Sequence, residues 1–519
     1  MLKEFLTLEE LKKIKWEKIK TIQNRRFQAT ARYLLLLTAF YRDFFRKHKV
    51  DVNRIRSVED WKKLGLPLIK KKLYLDRTRD FIVIPRGSQS KIFLIYLKYA
   101  EYLQRLQGTR LLLTGIVSKI SEKHMENLTK EIKSFFRPKM PAFAGGTETG
   151  KPAPVLLTSK QKLHSMVNTA DISAYLIMTR HFRGNESITG MNLFPYAPHI
   201  AWQVINMAAE LRSDLNLCTA AGGFLGTEKL ISIAKTAKPN VFSGMVDYLI
   251  NVFLPQALEE GVKLGPKVVF LNGATKMLEI QRQRIKELFH ELGAKKVIAL
   301  DGYGASELKE ATLAECEEGS GLHHVAPLST IIRTVKIGKA DPKSDYIYDW
   351  DFTSDEEGGY AAVWNIDGAG TLLQGFLLGD HFERVETGRC PHCGLDVKRF
   401  YNVNRISDLE TEIKIMGIDE EKVHGSKVNL VALRERLLHI KHMKEVQLEL
   451  QHLNPHDKLI VKYVPQNATR EDLTPYIKEV FKKFCDIHPD AIKKISMSDL
   501  YSEKNLKYCG IIKKYHGLH

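Results

Sequence analysis

The sequence predicts an α/β protein, a large α/β body followed by a compact α+β module. Three observations carry this expectation. A chain of 519 residues exceeds what one ordinary core supports, so two or more domains are expected. Between Val268 and Leu300, two short apolar runs flank an amphipathic stretch, the pattern of a strand–helix–strand unit. Beyond about residue 405, Val446–Leu450 and Lys458–Tyr463 alternate as half-buried strands.

Taken in order, residues 1–90 read as helical and basic, with Trp16, Phe40, Tyr41 and Phe44 as core or docking anchors. The run from Phe143 to Pro154 then gathers Gly145, Gly146, Thr147, Thr149, Gly150 and Lys151. Glycines let backbone amides approach an anion, the threonines add hydroxyl donors, and the lysine adds charge. Such a loop suits a polyphosphate. Gly145 and Gly150-Lys151 also have the spacing of a P-loop, but Pro152 stands where a Ser or Thr should ligate Mg²⁺. The chain from Pro152 to Thr158 moreover reads as extended rather than helical.

The strand Val268–Leu271 ends in Asn272-Gly273-Ala274, a helix follows from about Lys276 to Leu292, and Gly293 closes it. A second strand, Val297–Leu300, runs into Asp301-Gly302-Tyr303-Gly304-Ala305-Ser306-Glu307, read as a glycine-rich turn. Ligands of open α/β sheets bind at the carboxyl ends of the strands. There Gly302 and Gly304 permit close approach, Tyr303 offers an aromatic face, and Glu307 offers a metal ligand. Downstream, Cys316, Cys390 and Cys393 with either His323 or His324 have the donor set of a closed tetrahedral zinc site of structural type. The segment Asp380 to Asp408 reads as polar and turn-rich, and Thr469 as the cap of a helix from Arg470 to Phe484.

Composition narrows the function classes. Apolar residues make up 44% and charged residues 27%, as in soluble globular proteins. No apolar run approaches the roughly 20 residues of a membrane span, and the N-terminus carries acids and lacks a signal-peptide core, so a cytoplasmic protein without a membrane partner is expected. The net charge of +18 is spread along the chain without a nucleic-acid-binding signature, so no nucleic-acid partner is expected. The field would instead favour small anionic substrates.

Order now adds what single motifs lack. The chain resembles the adenylate-forming (acyl-CoA synthetase) superfamily, and within it the phenylacetate–CoA ligase-like branch. Phe40-Tyr41-Arg42, Ser57–Trp61 and Pro67–Lys71 look like that branch's helical entry region. The loop at Gly145–Pro152 is similar to the superfamily's phosphate loop, and Asn272-Gly273-Ala274 and Gly302–Glu307 to its adenine-side motifs. Tyr196–His199, Lys238-Pro-Asn and Gly244–Tyr248 fall at its acid-pocket segments. Gly379-Asp380 resembles its ribose pair, Arg405–Asp408 its hinge, and His424–Val428 the opening of its mobile domain. The cysteine and histidine positions recur in the branch, where they hold zinc. Departures stand at Ala144, Gly145 and Glu148 in the loop, at Asn404 before the hinge arginine, and at Val246-Asp247, where the family has Pro-Ser.

The resemblance implies a large multi-sheet α/β body with a small mobile α+β C-terminal domain. It divides the chain into an entry region at 1–90, an adenylation domain with zinc knuckle at 91–405 and a lid domain at 409–519. It further implies ATP-dependent activation of a small carboxylic acid through an acyl-adenylate, then transfer to a thiol, CoA foremost. The loop would hold phosphates, Glu307 Mg²⁺, Tyr303 adenine and Asp380 ribose. Arg405 would assist near the hinge, and Lys504, with Lys507 in reserve, would contact the reacting carboxylate. His199, Trp202, Gly222, Gly223 and Met245 would line the pocket of an aromatic or medium apolar acid, and a homodimer is left open. Other acceptors (an amine, a carrier-protein thiol, or adenylyl transfer) and a degenerate polyanion-binding relative stay open as alternatives.

Overall fold

The computed structural model describes residues 5–88, 91–92, 94–96, 98–99, 126–127, 130, 132–133, 136–143, 154–196, 200–221, 225–273, 276–309, 312–341, 343–354, 356–405, 430–452, 458–466, 472–484, 488–500 and 510–515. Among these, a 14-stranded sheet runs through the body and a separate four-stranded sheet forms within residues 443–515. No helix of the described residues is long and apolar enough to cross a membrane.

The large sheet has two halves. In the parallel half, the strands Leu215–Asn216, Thr189–Asn192, Val241–Gly244, Lys267–Asn272 and Lys296–Gly304 lie side by side. Their registers align Asn192 with Ser243, Gly244 with Asn272, and Asn272 with Asp301, so the carboxyl ends form one edge. The strand–helix–strand unit is as expected, although its helix starts at Glu279 rather than Lys276. Gln281 fixes that start, its side-chain oxygen accepting from Leu278 N at 3.0 Å.

The halves share one strand. Up to Asp301 the strand Lys296–Gly304 pairs parallel with Lys267–Asn272; from Gly302 to Gly304 it pairs antiparallel with Thr312–Ala314. The expected turn is therefore strand as far as Gly304, followed by a short helical turn at Ser306–Leu308. Gly302 makes the switch possible, because a Cβ there would sit 3.0 Å from Asn272 O and 3.2 Å from a Leu271 methyl. The antiparallel half continues through Leu322–His324, Arg399–Arg405, Gln374–Glu386, Glu357–Asn365 and Thr330–Ile337. The segment expected to be turn-rich after Asp380 is thus mostly a long antiparallel hairpin. Its polar residues are interspersed with Phe382, Val385 and Phe400, which are buried in the core of the antiparallel half.

Each half has its own core. Phe27, Phe40, Tyr41, Phe44 and Trp61 of the N-terminal helices pack on the antiparallel half, and the Tyr41 phenol donates to Gln374 O and accepts from Gln374 N. A second core fills the parallel half around Phe242, Phe270 and Phe289. In the C-terminal module, Met443–His452 and Lys458–Pro465 form the expected strand pair, with Val446, Leu448 and Leu450 facing Ile477 and Phe481 of the helix Thr474–Phe484. That helix spans Thr474–Phe484, and the expected cap Thr469 and start Arg470 lie outside the described residues. Asp472 accepts from Thr474 N at 3.0 Å, and Pro475 suits a first turn.

Candidate functional site

The aligned strand ends are held by one buried amide. Asn272 donates to Asp301 Oδ1 at 2.7 Å and accepts from Val246 N at 2.9 Å, tying three neighbouring strands at their carboxyl edge. Gly273 N donates to Gly244 O, and the Phe194 ring closes over Gly273, where a Cβ would meet it at 2.9 Å. Burial pushes the Asp301 carboxyl up to about 7, against the pull of its hydrogen bond from Asn272. The native carboxyl keeps its proton to about pH 7, whereas an unfolded aspartate loses it near 3.8. The native state therefore binds more protons between those values, and this group's contribution to stability falls as pH rises through that window. Asp301→Asn is expected to flatten that slope in urea midpoints measured from pH 5 to 8; an unchanged slope would remove Asp301 as its source.

Across the edge, the Tyr303 hydroxyl donates to Asp380 Oδ2 at 2.6 Å, and its ring meets Phe382 edge-on at 5.7 Å between centroids. Asp380 lies opposite Arg405 in the hairpin register. The structure thus brings together Asn272, Gly273, Gly302, Tyr303, Gly304, Asp380 and the Arg405 backbone, which lie apart in sequence. Asn404 accepts from Lys276 Nζ at 2.6 Å and donates to Glu383 at 2.7 Å, so this departure from the family pattern has packing partners of its own.

Glu307 is buried, 2% exposed, and its Oε1 makes no hydrogen bond; the Lys71 ammonium stands 3.3 Å from it. A buried carboxylate oxygen that meets an ammonium and makes no hydrogen bond is suited to a cation. Beyond it, Lys309 adopts a left-handed φ of 64° and donates to Asp367 and to Ala369 O, a buried anchor that fixes the chain just after Glu307. Tyr74, on the same short helix as Lys71, donates to Pro154 O at 2.6 Å. Burial first, and the Glu307 charge second, hold that phenol well above its ordinary pKa. Phe143 and Pro154 face each other across an antiparallel pair, so the stem of the glycine-rich loop reaches the neighbourhood of Glu307.

The loop residues Gly145, Gly146, Thr147, Thr149, Gly150 and Lys151 lie outside the described residues, as do His199, Gly222, Gly223, Ala274, Lys504 and Lys507. Of the expected acid pocket, Met245 is buried just beyond the strand end, and Trp202 donates to Thr219 O at 2.9 Å with Tyr196 edge-on at 4.7 Å. Tyr74, Phe194 and the Lys309–Asp367 pair escaped the sequence reading, as did the approach of Lys71 to Glu307. Lys71 and Tyr74 lie more than 200 residues from Glu307, and no periodicity or motif links them to it.

A second constellation lies at the other end of the same strands. Cys316, His323, Cys390 and Cys393 place their donor atoms within 4.8 Å of one another. Cys316 and Cys390 sulfurs are 3.7 Å apart, and Cys393 Sγ is 3.4 Å from His323 Nε2. Four ligands around zinc at about 2.3 Å for sulfur would stand about 3.8 Å apart. The other ring nitrogen of His323, Nδ1, bonds Ala314 O at 3.1 Å, which leaves Nε2 for a metal. His324 stands outside this cluster. Successive strand residues face opposite sides, so His324 turns into the core, where burial and then Lys398 lower it to about 3. Arg180 grips the knuckle from outside, donating to Cys316 O at 2.7 Å and His392 O at 2.9 Å.

No family model matches the chain, and no curated protein matches it by sequence. Solved structures match it by fold. One is 2-hydroxyisobutyryl-CoA ligase in the postadenylation state in complex with R3-HIB-AMP, at a TM-score of 0.63 and 14% identity over 96% of this chain and 90% of that one. The same ligase in an open conformation with 2-HIB-AMP and CoA gives 0.53 at 14% identity, over 96% and 91%. Its thioesterification state gives 0.50 at 14% identity, over 96% and 90%. With the strand-end site and the separate C-terminal sheet already described, these likenesses run nearly end to end: the chain has the fold of the adenylate-forming acyl-CoA ligases.

Proposed function

We propose that this protein is an AMP-forming acid–thiol ligase that activates a small carboxylic acid with ATP and passes the acyl group to a thiol, with CoA as the acceptor. The observation that carries the reading is the convergence of Tyr303, Asp380 and the buried, donor-poor Glu307 on one sheet edge, next to the stem of a glycine-rich loop. The fold neighbours, which bind acyl-adenylates and CoA, support it.

The chemistry follows from charge. A carboxylate has no good leaving group, so its oxygen attacks the α-phosphorus of ATP, the bond to the β-phosphate bridging oxygen breaks, and pyrophosphate leaves. The acyl-adenylate that remains is a mixed anhydride; a thiolate then attacks its carbonyl and AMP departs. Two anions must meet in the first step, so positioning and neutralisation carry the catalysis. Glu307 would hold Mg²⁺, which neutralises phosphate charge when bound. The loop from Gly145 to Lys151 would hold the phosphates, Tyr303 the adenine, Asp380 the ribose hydroxyls, and Lys504, with Lys507 in reserve, the reacting carboxylate. Residues 409–519 would form a lid turning near Ser407 and Asp408. The Cys316–His323–Cys390–Cys393 cluster would hold a structural zinc.

Trp202, Tyr196, Met245 and Phe194 favour an aromatic or medium apolar acid. A pyrophosphate-release screen over a carboxylic-acid library, with and without CoA, tests the whole reading. Release that needs one acid class, with thioester formed when CoA is added, is the expected result. Exchange indifferent to CoA would move the acceptor to an amine or a carrier thiol, and no exchange with any acid would overturn the proposal. Asp380→Ala should raise the KM for ATP at least about tenfold, the scale of a lost hydrogen bond to a charged group, measured in the same assay.

A further inference from the structure

The C-terminal module meets the body through a polar contact that the proposed chemistry does not use. On the body, Asp247 accepts from Gln281 Nε2 at 2.7 Å, and Asn251 lies in a wide π-helical turn, Leu249–Phe253. On the module, Arg434 pairs with Glu445 at 2.7 Å and donates to Val446 O at 3.0 Å. Polar contacts among the described residues cross between them. Asn251 Nδ2 donates to Glu445 Oε2 at 3.2 Å, and the Arg434 guanidinium stands 3.9 Å from Asp247. All of these side chains are buried or nearly so, Glu445 to 1% exposure.

The arrangement is reversible by construction. If the two sides part, Asp247 keeps its hydrogen bond from Gln281 and Arg434 keeps its ion pair with Glu445, so each charged group retains a polar partner on its own surface. Apolar contact across the boundary is small, with Val252 of the same π-turn against Val464 and Leu500, and Leu278 against the module's core. Beside the polar contacts lies a cavity of 620 Å³ lined by Pro255, Leu258, Leu288, Leu438 and Met443 among others, so the two surfaces are not packed together as one core. The whole chain also superposes better on the postadenylation state of 2-hydroxyisobutyryl-CoA ligase, at 0.63, than on its thioesterification state, at 0.50. Asp247 is one of the positions where the sequence departs from the family pattern.

We propose that Asn251–Glu445 and Asp247–Arg434 form a positioning clamp that holds the C-terminal module in its acid-activating orientation and releases it for the thiol step. The proposal rests on the ligase reading for its two half-reactions, but the clamp itself is a statement about orientation. None of its four residues touches the reacting atoms; they act through the module they place.

A charge swap tests it. Asn251→Asp sets a second carboxylate against Glu445 and should drive the module off the body. Adding Glu445→Gln restores a donor and an acceptor across the gap while keeping an oxygen for Arg434. In Asn251→Asp, pyrophosphate exchange should fall about tenfold, the scale of coupling between contacting charged groups. Single-turnover conversion of preformed acyl-adenylate to thioester should hold steady or quicken. The double variant should recover exchange to within about threefold of wild type, and small-angle scattering should show an expanded particle for the single variant and a wild-type profile for the double. Equal loss of both half-reactions, or no recovery in the double variant, would overturn the clamp. Asp247→Asn, which keeps the bond from Gln281, guards against misfolding and should shift the half-reactions in the same direction. If no acid supports exchange, scattering alone decides: an unchanged profile for Asn251→Asp sinks the clamp, and an expanded one restored by Glu445→Gln upholds it while the ligase reading fails.

Discussion

Glu307→Gln is expected to lower acid-dependent pyrophosphate release by at least about a hundredfold, the scale on which removing one charged group from a preorganised phosphate site acts. The substitution keeps the shape of the side chain and removes only its charge. The carboxylate is buried, one of its oxygens has no hydrogen bond, and Lys71 is 3.3 Å away. In the proposed site it is the group that exchanges its interaction with an ammonium for one with a divalent cation. The loss should appear in kcat more than in the KM for the acid, and it should not be mended by higher Mg²⁺. Far-UV dichroism and the thermal midpoint should stay near wild type, because the surrounding chain is fixed independently by Lys309 and Asp367 and by the bond from Asn365 to Glu307 O. A variant that retains more than a third of wild-type turnover would remove Glu307 from the catalytic centre.

Loss of the Cys316–His323–Cys390–Cys393 cluster should produce the other large effect. Cys316 follows the strand Thr312–Ala314 and His323 lies within its partner Leu322–His324, while Cys390 and Cys393 sit in the turn of the hairpin that carries Asp380. A metal here would bind the strands leading from Tyr303 and Glu307 to the hairpin bearing Asp380. It would also stabilise the small core in which Leu8, Leu11, Trp16 and Ile19 of the N-terminal helices pack around Cys316 and Cys390. Metal analysis of the purified protein should give close to one zinc per chain. Cys390→Ser, or prolonged treatment with a zinc chelator, should lower the thermal midpoint by on the order of 10 °C, given that structural zinc contributes several kcal/mol to folding. Nucleotide affinity should fall with it, since the Tyr303–Asp380 contact bridges the two joined segments. A metal-free protein whose serine variant is equally stable would show that the four side chains are only a buried thiol cluster.

Much of the fold could be read from the chain because it depends on local pattern. The apolar runs at Val268 and Val297, the helix between them and the alternation in Val446–Leu450 each state their own geometry, and each is found. The same logic separated the three clustered cysteines, Cys316, Cys390 and Cys393, from the rest. It could not choose between His323 and His324, because adjacent residues carry the same composition; only the direction of the strand, with Ala314 opposite His323, decides which ring meets the sulfurs. It also misread Asp301–Gly304 as a turn, and in the segment from Asp380, read as polar and turn-rich, it missed the strands that end at Glu386 and begin at Arg399. Glycines and polar residues look like turn formers in isolation, yet here they serve a strand that changes partners and a hairpin that buries Phe382, Val385 and Phe400.

What the sequence settled alone, then, was the kind of elements present and the chemical classes of donor available: a carboxylate after two glycines, an aspartate after a glycine, three thiols near a histidine pair. What needed the tertiary structure was which of these meet. Lys71 and Glu307 are 236 positions apart, Tyr303 and Asp380 are 77 apart, and Asn251 and Glu445 are 194 apart. Contacts over such separations arise from sheet register and helix packing. Those are set by the sum of many weak apolar contacts in the two cores, and no single residue in the chain announces them.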